Sequence, residues 1–91
     1  MTPRLLRIRG RVQGVGYRDW LVERARAAGL SGWVRNRADG SVEALLDGGE
    51  DAIGAVLLAA RRGPPAARVD EIDESFGPRP EEPGFRKRPT L

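Results

Sequence analysis

From Leu6 to Val12 the chain alternates, with Leu6, Ile8, Gly10 and Val12 on one side and Arg7, Arg9 and Arg11 on the other. A period of two with one apolar and one basic face marks a half-buried strand. The period then changes. From about Asp19 to Ala28 a helix is predicted, with Leu21, Ala25 and Ala28 on one stripe, Val22 beside it and Gly29 as its stop. Gly32 to Arg37 predicts a second strand, and Asp39-Gly40 is a two-residue hairpin signal. Val42, Ala44 and Leu46 give the inward face of a third strand. Ile53, Val56, Leu57 and Ala60 recur at i, i+3, i+4 and i+7, the clearest helical pattern in the chain. Glu50 and Asp51 suit its N-terminus, Arg61 and Arg62 its C-terminus, and Gly63-Pro64-Pro65 ends it. A fourth strand is expected from about Arg68 to Phe76, with a bulge where Val69 and Ile72 differ in parity. Pro78 to Gly84 reads as a loop. Phe85 to Leu91 reads as a short edge strand, because Pro89 is poorly tolerated inside a sheet.

The order βαββαβ, with an extra strand at the end, predicts an α+β ferredoxin-like sandwich: an antiparallel sheet of four to five strands with two helices on one face. Residues 1–91 read as one domain, without repeats or a linker. Strands one and two are joined by a crossover helix, so they run parallel and their C-terminal ends share one edge of the sheet. The glycine-rich segment after strand one and Asn36 near the end of strand two should therefore meet in space.

Composition narrows the chemistry. There is no histidine and no cysteine, which removes Cys–His nucleophiles, disulfides and the usual zinc sites. A metal would have to sit on carboxylates alone, and these lack a calcium-loop spacing. No apolar run approaches the length of a membrane span, and arginines interrupt Met1 to Gly10 where a signal peptide needs apolar residues. A cytoplasmic protein is expected. A net charge of +3 is small for a dedicated nucleic-acid binder, and fifteen of the sixteen basic residues are arginine, a bias that carries no functional weight.

What remains is Gly10-Arg11-Val12-Gln13-Gly14-Val15-Gly16-Tyr17-Arg18. Three glycines let the backbone turn sharply and leave its N–H groups uncovered. A helix N-terminus and a guanidinium stand beside them, which together make an anion site. Arg18 in a first helical turn opposes the macrodipole by about 0.3–1 kcal/mol. It is either a solvated arginine partly offset by Asp19 or a bidentate phosphate ligand. Asn36 is either a polar residue leading into the turn or a carboxamide that holds a water in fixed orientation. The glycine pattern is neither a Walker loop nor a dinucleotide fingerprint. Trp20 and Trp33 read as packing residues, and Tyr17 either walls the pocket or packs beneath the loop.

The segment from Gly10 to Arg18 resembles the first signature of the acylphosphatase family. Gly32-Trp33-Val34-Arg35-Asn36, followed by Asp39-Gly40-Ser41-Val42-Glu43 and Gly48, resembles its second. The likeness continues through the second helix and Pro64 to Asp70. It implies hydrolysis of the carboxyl–phosphate bond of small-molecule acyl phosphates without metal or cofactor. Arg18 matches the family's phosphate-binding arginine and Asn36 its water-orienting asparagine. The amides of Gly14, Val15, Gly16, Tyr17 and Arg18 match its phosphate cradle. Two departures stand out: Tyr17 occupies a position that is usually phenylalanine, and the basic tail contains Pro89. No nucleic-acid or membrane partner is expected, and the chain should be a monomer. The rival readings are an RNA-binding sheet, which would want aromatic residues on its central strands, and an idle regulatory relative. Neither accounts for Arg18 and Asn36.

Overall fold

A computed structural model of the chain describes residues 2–91, so Met1 of the expected 1–91 domain lies outside the described residues. The elements are β1 (Arg4–Arg11), α1 (Tyr17–Ala27), β2 (Ser31–Asn36), β3 (Val42–Asp47), α2 (Glu50–Arg62), β4 (Arg68–Phe76) and β5 (Phe85–Lys87). They form one sheet in the order β4-β1-β3-β2-β5. The first four strands pair antiparallel, as the sequence predicts. The fifth differs: β5 runs parallel to β2, with Gly32 opposite Phe85 and Val34 opposite Lys87. The reason is topological. The chain reverses after β4 and crosses to the far edge of the sheet, so β5 must run opposite to β4 and therefore along β2.

One face of the sheet packs beneath both helices. Leu6, Ile8 and Val12, Val34, and Val42, Ala44 and Leu46 meet Leu21, Val22 and Ala25 of α1 and Ile53, Val56 and Ala60 of α2. Truncating such a buried leucine to alanine costs about 2–5 kcal/mol. The expected bulge is present. Arg9 pairs with Glu71 but Gly10 pairs with Val69, which leaves Asp70 as the extra residue. Gly10 is fixed by that bulge: its φ is +133°, and a Cβ there would overlap the carbonyl oxygen of Arg68.

Three boundaries move. Helix α1 starts at Tyr17, two residues before the predicted Asp19, because the Tyr17 ring is buried and extends the Leu21–Ala25 stripe back by one turn. The hairpin loop has three residues rather than two: Arg37 N–H donates to Ser41 O (2.8 Å) and Gly40 N–H to Arg37 O (3.1 Å), enclosing Ala38, Asp39 and Gly40. Strand β5 stops at Lys87 rather than Leu91. Arg88 N–H still donates to Val34 O (2.9 Å), but Pro89 has no N–H, and the next bond runs from Leu91 N–H to Asn36 O (3.1 Å). The tail thus stays strapped to β2 past the end of the regular strand. No described helix is long and apolar enough to cross a membrane.

Candidate active site

Strands β1 and β2 point the same way, and their C-terminal ends open onto a hollow of about 190 Å³. Gly14, Gly16, Tyr17 and Arg18 line it from the β1–α1 loop and the first helical turn, and Asn36 lines it from the end of β2. The expected convergence of loop and Asn36 is therefore present. Val15 is the exception among the expected cradle residues: it does not line the hollow, and it packs against the core.

The loop's shape comes from its glycines. Gly14 and Gly16 sit at φ +73° and +80°, and space around both is open. The requirement is conformational rather than steric. Gly16 is also the N-cap of α1 and offers no side-chain cap. Among the described residues, Gly14, Val15 and Gly16 donate no backbone hydrogen bond. The amides of Tyr17 and Arg18 belong to the orphan donors of a first helical turn. Such a loop, with the positive end of a helix dipole behind it, suits a tetrahedral anion.

Arg18 is half-buried and forms no ion pair or side-chain hydrogen bond among the described residues. The offset by Asp19 that one reading of the sequence allows is present as a minor attraction between the two charges, not as an ion pair. Asp19 instead accepts a 2.8 Å hydrogen bond from Lys87 Nζ. That bond, and the charge behind it, hold the Asp19 carboxyl below its usual value, with Arg18 a smaller contributor. Asn36 carries the second unmet group. It lies on the helix side of β2 with Gly32 and Val34, and its Oδ1 is buried without a partner among the described residues. A buried acceptor without a partner costs about 1–3 kcal/mol. A hydrogen-bonding ligand or water at that point would remove the cost.

Tyr17 satisfies both readings of the sequence: it lines the hollow, and its ring packs beneath the loop. Its ring is 1% exposed and its hydroxyl donates to Ala60 O at 2.7 Å, joining the start of α1 to the end of α2. Burial pushes the phenol well above its ordinary pKa, so it stays a neutral donor. Trp20 packs against the core, with the Arg24 guanidinium over its ring. Trp33, on the opposite face, lies under the guanidinium groups of Arg35 (4.6 Å) and Arg88 (5.3 Å).

Two residues escape a reading of the sequence. Gln13 Nε2 donates to Arg37 O (2.8 Å) and Ser41 O (2.9 Å), tying the glycine loop to the turn after Asn36. A long amide among glycines and valines was its only signal. Lys87 also lines the hollow. Its sign was a charge at the same parity as the buried Phe85, two residues earlier in β5.

The sequence matches the family model described as Acylphosphatase over residues 5–87. It is 55% identical to an acylphosphatase of Rhodospirillum rubrum over 91 residues, with all of both chains covered. It is 57% identical to one of Acidiphilium cryptum, with 99% of each chain covered. The fold is similar to the crystal structure of acylphosphatase from Bacillus subtilis, with a TM-score of 0.90 and 35% identity over 97% of this chain and 99% of that one.

Proposed function

The chain belongs to the acylphosphatase family and is an acylphosphatase, and on that premise we propose how its residues carry the hydrolysis. The amides of Gly14 to Arg18 and the Arg18 guanidinium hold the phosphoryl group. Asn36 holds the attacking water. One observation carries this reading: Arg18, which forms no ion pair among the described residues, and Asn36, whose Oδ1 has no partner among them, line the same hollow.

An acyl phosphate is a mixed anhydride whose leaving group is a carboxylate with an ordinary pKa of about 4. It departs without a proton, so no general acid is required. Phosphoryl transfer is commonly loose, so the water needs little activation. The carboxyl–phosphate P–O bond breaks with its electron pair going to the carboxylate, while the water oxygen bonds to phosphorus. A non-bridging phosphate oxygen takes the proton, leaving carboxylate and inorganic phosphate. Asn36 Oδ1 accepts one hydrogen of the water, which turns a lone pair toward phosphorus. Catalysis is then positioning plus stabilisation of charge on the equatorial oxygens, and no metal takes part. Following the loss of benzoyl phosphate with and without a chelator tests this. Turnover unaffected by the chelator is expected; turnover that it abolishes would overturn the metal-free mechanism.

The same proposal has residues 1–91 acting as one domain, as a cytoplasmic monomer on small molecules and not on nucleic acid. The last point is supported by the open sheet face, where Arg7, Arg9, Arg35 and Arg37 are paired with carboxylates. Salt-sensitive, submicromolar RNA retention in a filter-binding assay would contradict it.

A further inference from the structure

The hollow has a second cation that neither the family signature nor the reaction as described uses. Lys87 lies on β5, opposite Val34 in a parallel pair, and so stands beside the strand that carries Asn36 two residues further on. It shares the helix side of the sheet with Phe85, which is 2% exposed and anchors the start of β5. Beyond it, the bonds of Arg88 to Val34 and Leu91 to Asn36 fix the tail along β2. The Lys87 backbone is thus held from both ends, and its side chain lines the same hollow as Arg18 and Asn36.

Its partner is of a weak kind. Lys87 Nζ lies 2.8 Å from Asp19 Oδ1, but the lysine side chain is 44% exposed and the aspartate 76%. An ion pair this wet is screened and easily exchanged. A phosphoryl dianion entering the hollow brings two negative charges, of which Arg18 balances one. An ammonium is a compact charge on a flexible four-carbon stem, able to swing from a monovalent carboxylate to a stronger anion nearby.

We propose that Lys87 is a phosphate-binding residue of this enzyme, parked on Asp19 when the hollow is empty and transferred to the phosphoryl dianion when it fills. This rests on the phosphate site proposed above. Because the dianion is present in both substrate and transition state, Lys87 contributes to uniform binding, and its loss is carried by KM rather than kcat.

The test measures KM for benzoyl phosphate and competitive inhibition by inorganic phosphate in Lys87→Met, Lys87→Arg, Asp19→Asn and the double variant Asp19→Asn/Lys87→Met, with melting temperatures recorded for all. Lys87→Met should raise both KM and the phosphate inhibition constant about five- to tenfold, and Lys87→Arg should restore most of the loss. Asp19→Asn, which frees the ammonium, should tighten phosphate binding. If Lys87 merely cancels the charge of Asp19, Lys87→Met will be silent in the Asp19→Asn background, and the proposal is overturned. Transfer to the dianion instead leaves the double variant weaker than Asp19→Asn alone by the same five- to tenfold. An unchanged inhibition constant in Lys87→Met would equally overturn it. Arg18→Gln run in parallel separates the two layers. Weak phosphate inhibition there with a silent Lys87→Met removes only the role of Lys87, whereas undiminished inhibition in Arg18→Gln removes the site itself.

Discussion

On the open face of the sheet, Arg35, Arg37 and Arg7 converge on Glu43, at 2.8, 3.3 and 3.7 Å. Arg9 reaches Asp73 at 3.2 Å, and the guanidinium groups of Arg35 and Arg88 lie over Trp33. At the end of β1 the same side chain is treated differently. Arg18 has no ion pair among the described residues, stands at the positive end of a helix, and shares its hollow with an asparagine oxygen that has no partner among them either. The two regions lie on opposite faces of one thin sheet, so the contrast does not come from composition. Where arginine meets carboxylate its charge is spent on holding strands together. Where no carboxylate closes an ion pair among the described residues, the fold leaves a charge that an arriving anion can satisfy. Removing a charge should therefore lower activity in one region and stability in the other.

The largest effect should come from Arg18→Gln, with kcat/KM for benzoyl phosphate falling about a hundred- to a thousandfold. The melting temperature should hold, because no ion pair or side-chain hydrogen bond among the described residues is lost, and inhibition by inorganic phosphate should weaken. Asn36→Ala should reduce kcat by a similar factor while leaving phosphate inhibition largely intact. It should also keep or slightly raise thermal stability, since it deletes a buried oxygen that now lacks a partner. A marked loss of stability in either variant would blur the distinction between the two regions.

Glu43→Ala should show the reverse. It leaves three guanidinium groups facing one another and should cost about 1–3 kcal/mol, several degrees of melting temperature for a domain this small. The kcat measured well below the transition should be unchanged. Tyr17→Phe sharpens the comparison from within the loop itself. Losing the hydroxyl bond to Ala60 O should cost about 1 kcal/mol, with the turnover number unaffected, because the hydroxyl is buried and bonded to α2.

The smallest effect concerns acid. Hydrogen bonds from the Ser41 hydroxyl (2.6 Å) and amide (2.9 Å) hold Asp39 below the usual carboxylate value. A depressed folded-state pKa adds stability that is present above the unfolded value and is lost as pH falls through the folded one. Asp39→Asn should therefore lower the melting temperature slightly near neutrality and shrink the difference between pH 6 and pH 2. A wild-type acid response in that variant would remove Asp39 from the account.

Much of this is readable in the sequence. Alternation and helical spacing locate all four long strands and both helices, and the parity break between Val69 and Ile72 locates the bulge at Asp70. Topology brings Asn36 to the glycine loop. What could not be read depends on partners distant in sequence. Helix α1 begins at Tyr17 because the ring finds a place against α2, and one residue's identity does not reveal where its hydroxyl will land. Gln13 tethers the loop through carbonyls of Arg37 and Ser41, over twenty residues away. The direction of β5 follows from where the chain crosses the sheet, and the pairing of Asp19 with Lys87 follows from β5 in turn. Period and parity specify faces; they do not specify which polar atoms remain without a partner, and those atoms define the site.

The most direct test is a crystal of the protein soaked in inorganic phosphate. The account predicts one anion in the hollow at the end of β1, gripped by the Arg18 guanidinium and loop amides, with a water between it and Asn36 Oδ1. Phosphate bound elsewhere on the molecule, or bound there with Asn36 beyond the reach of a single water, would contradict it.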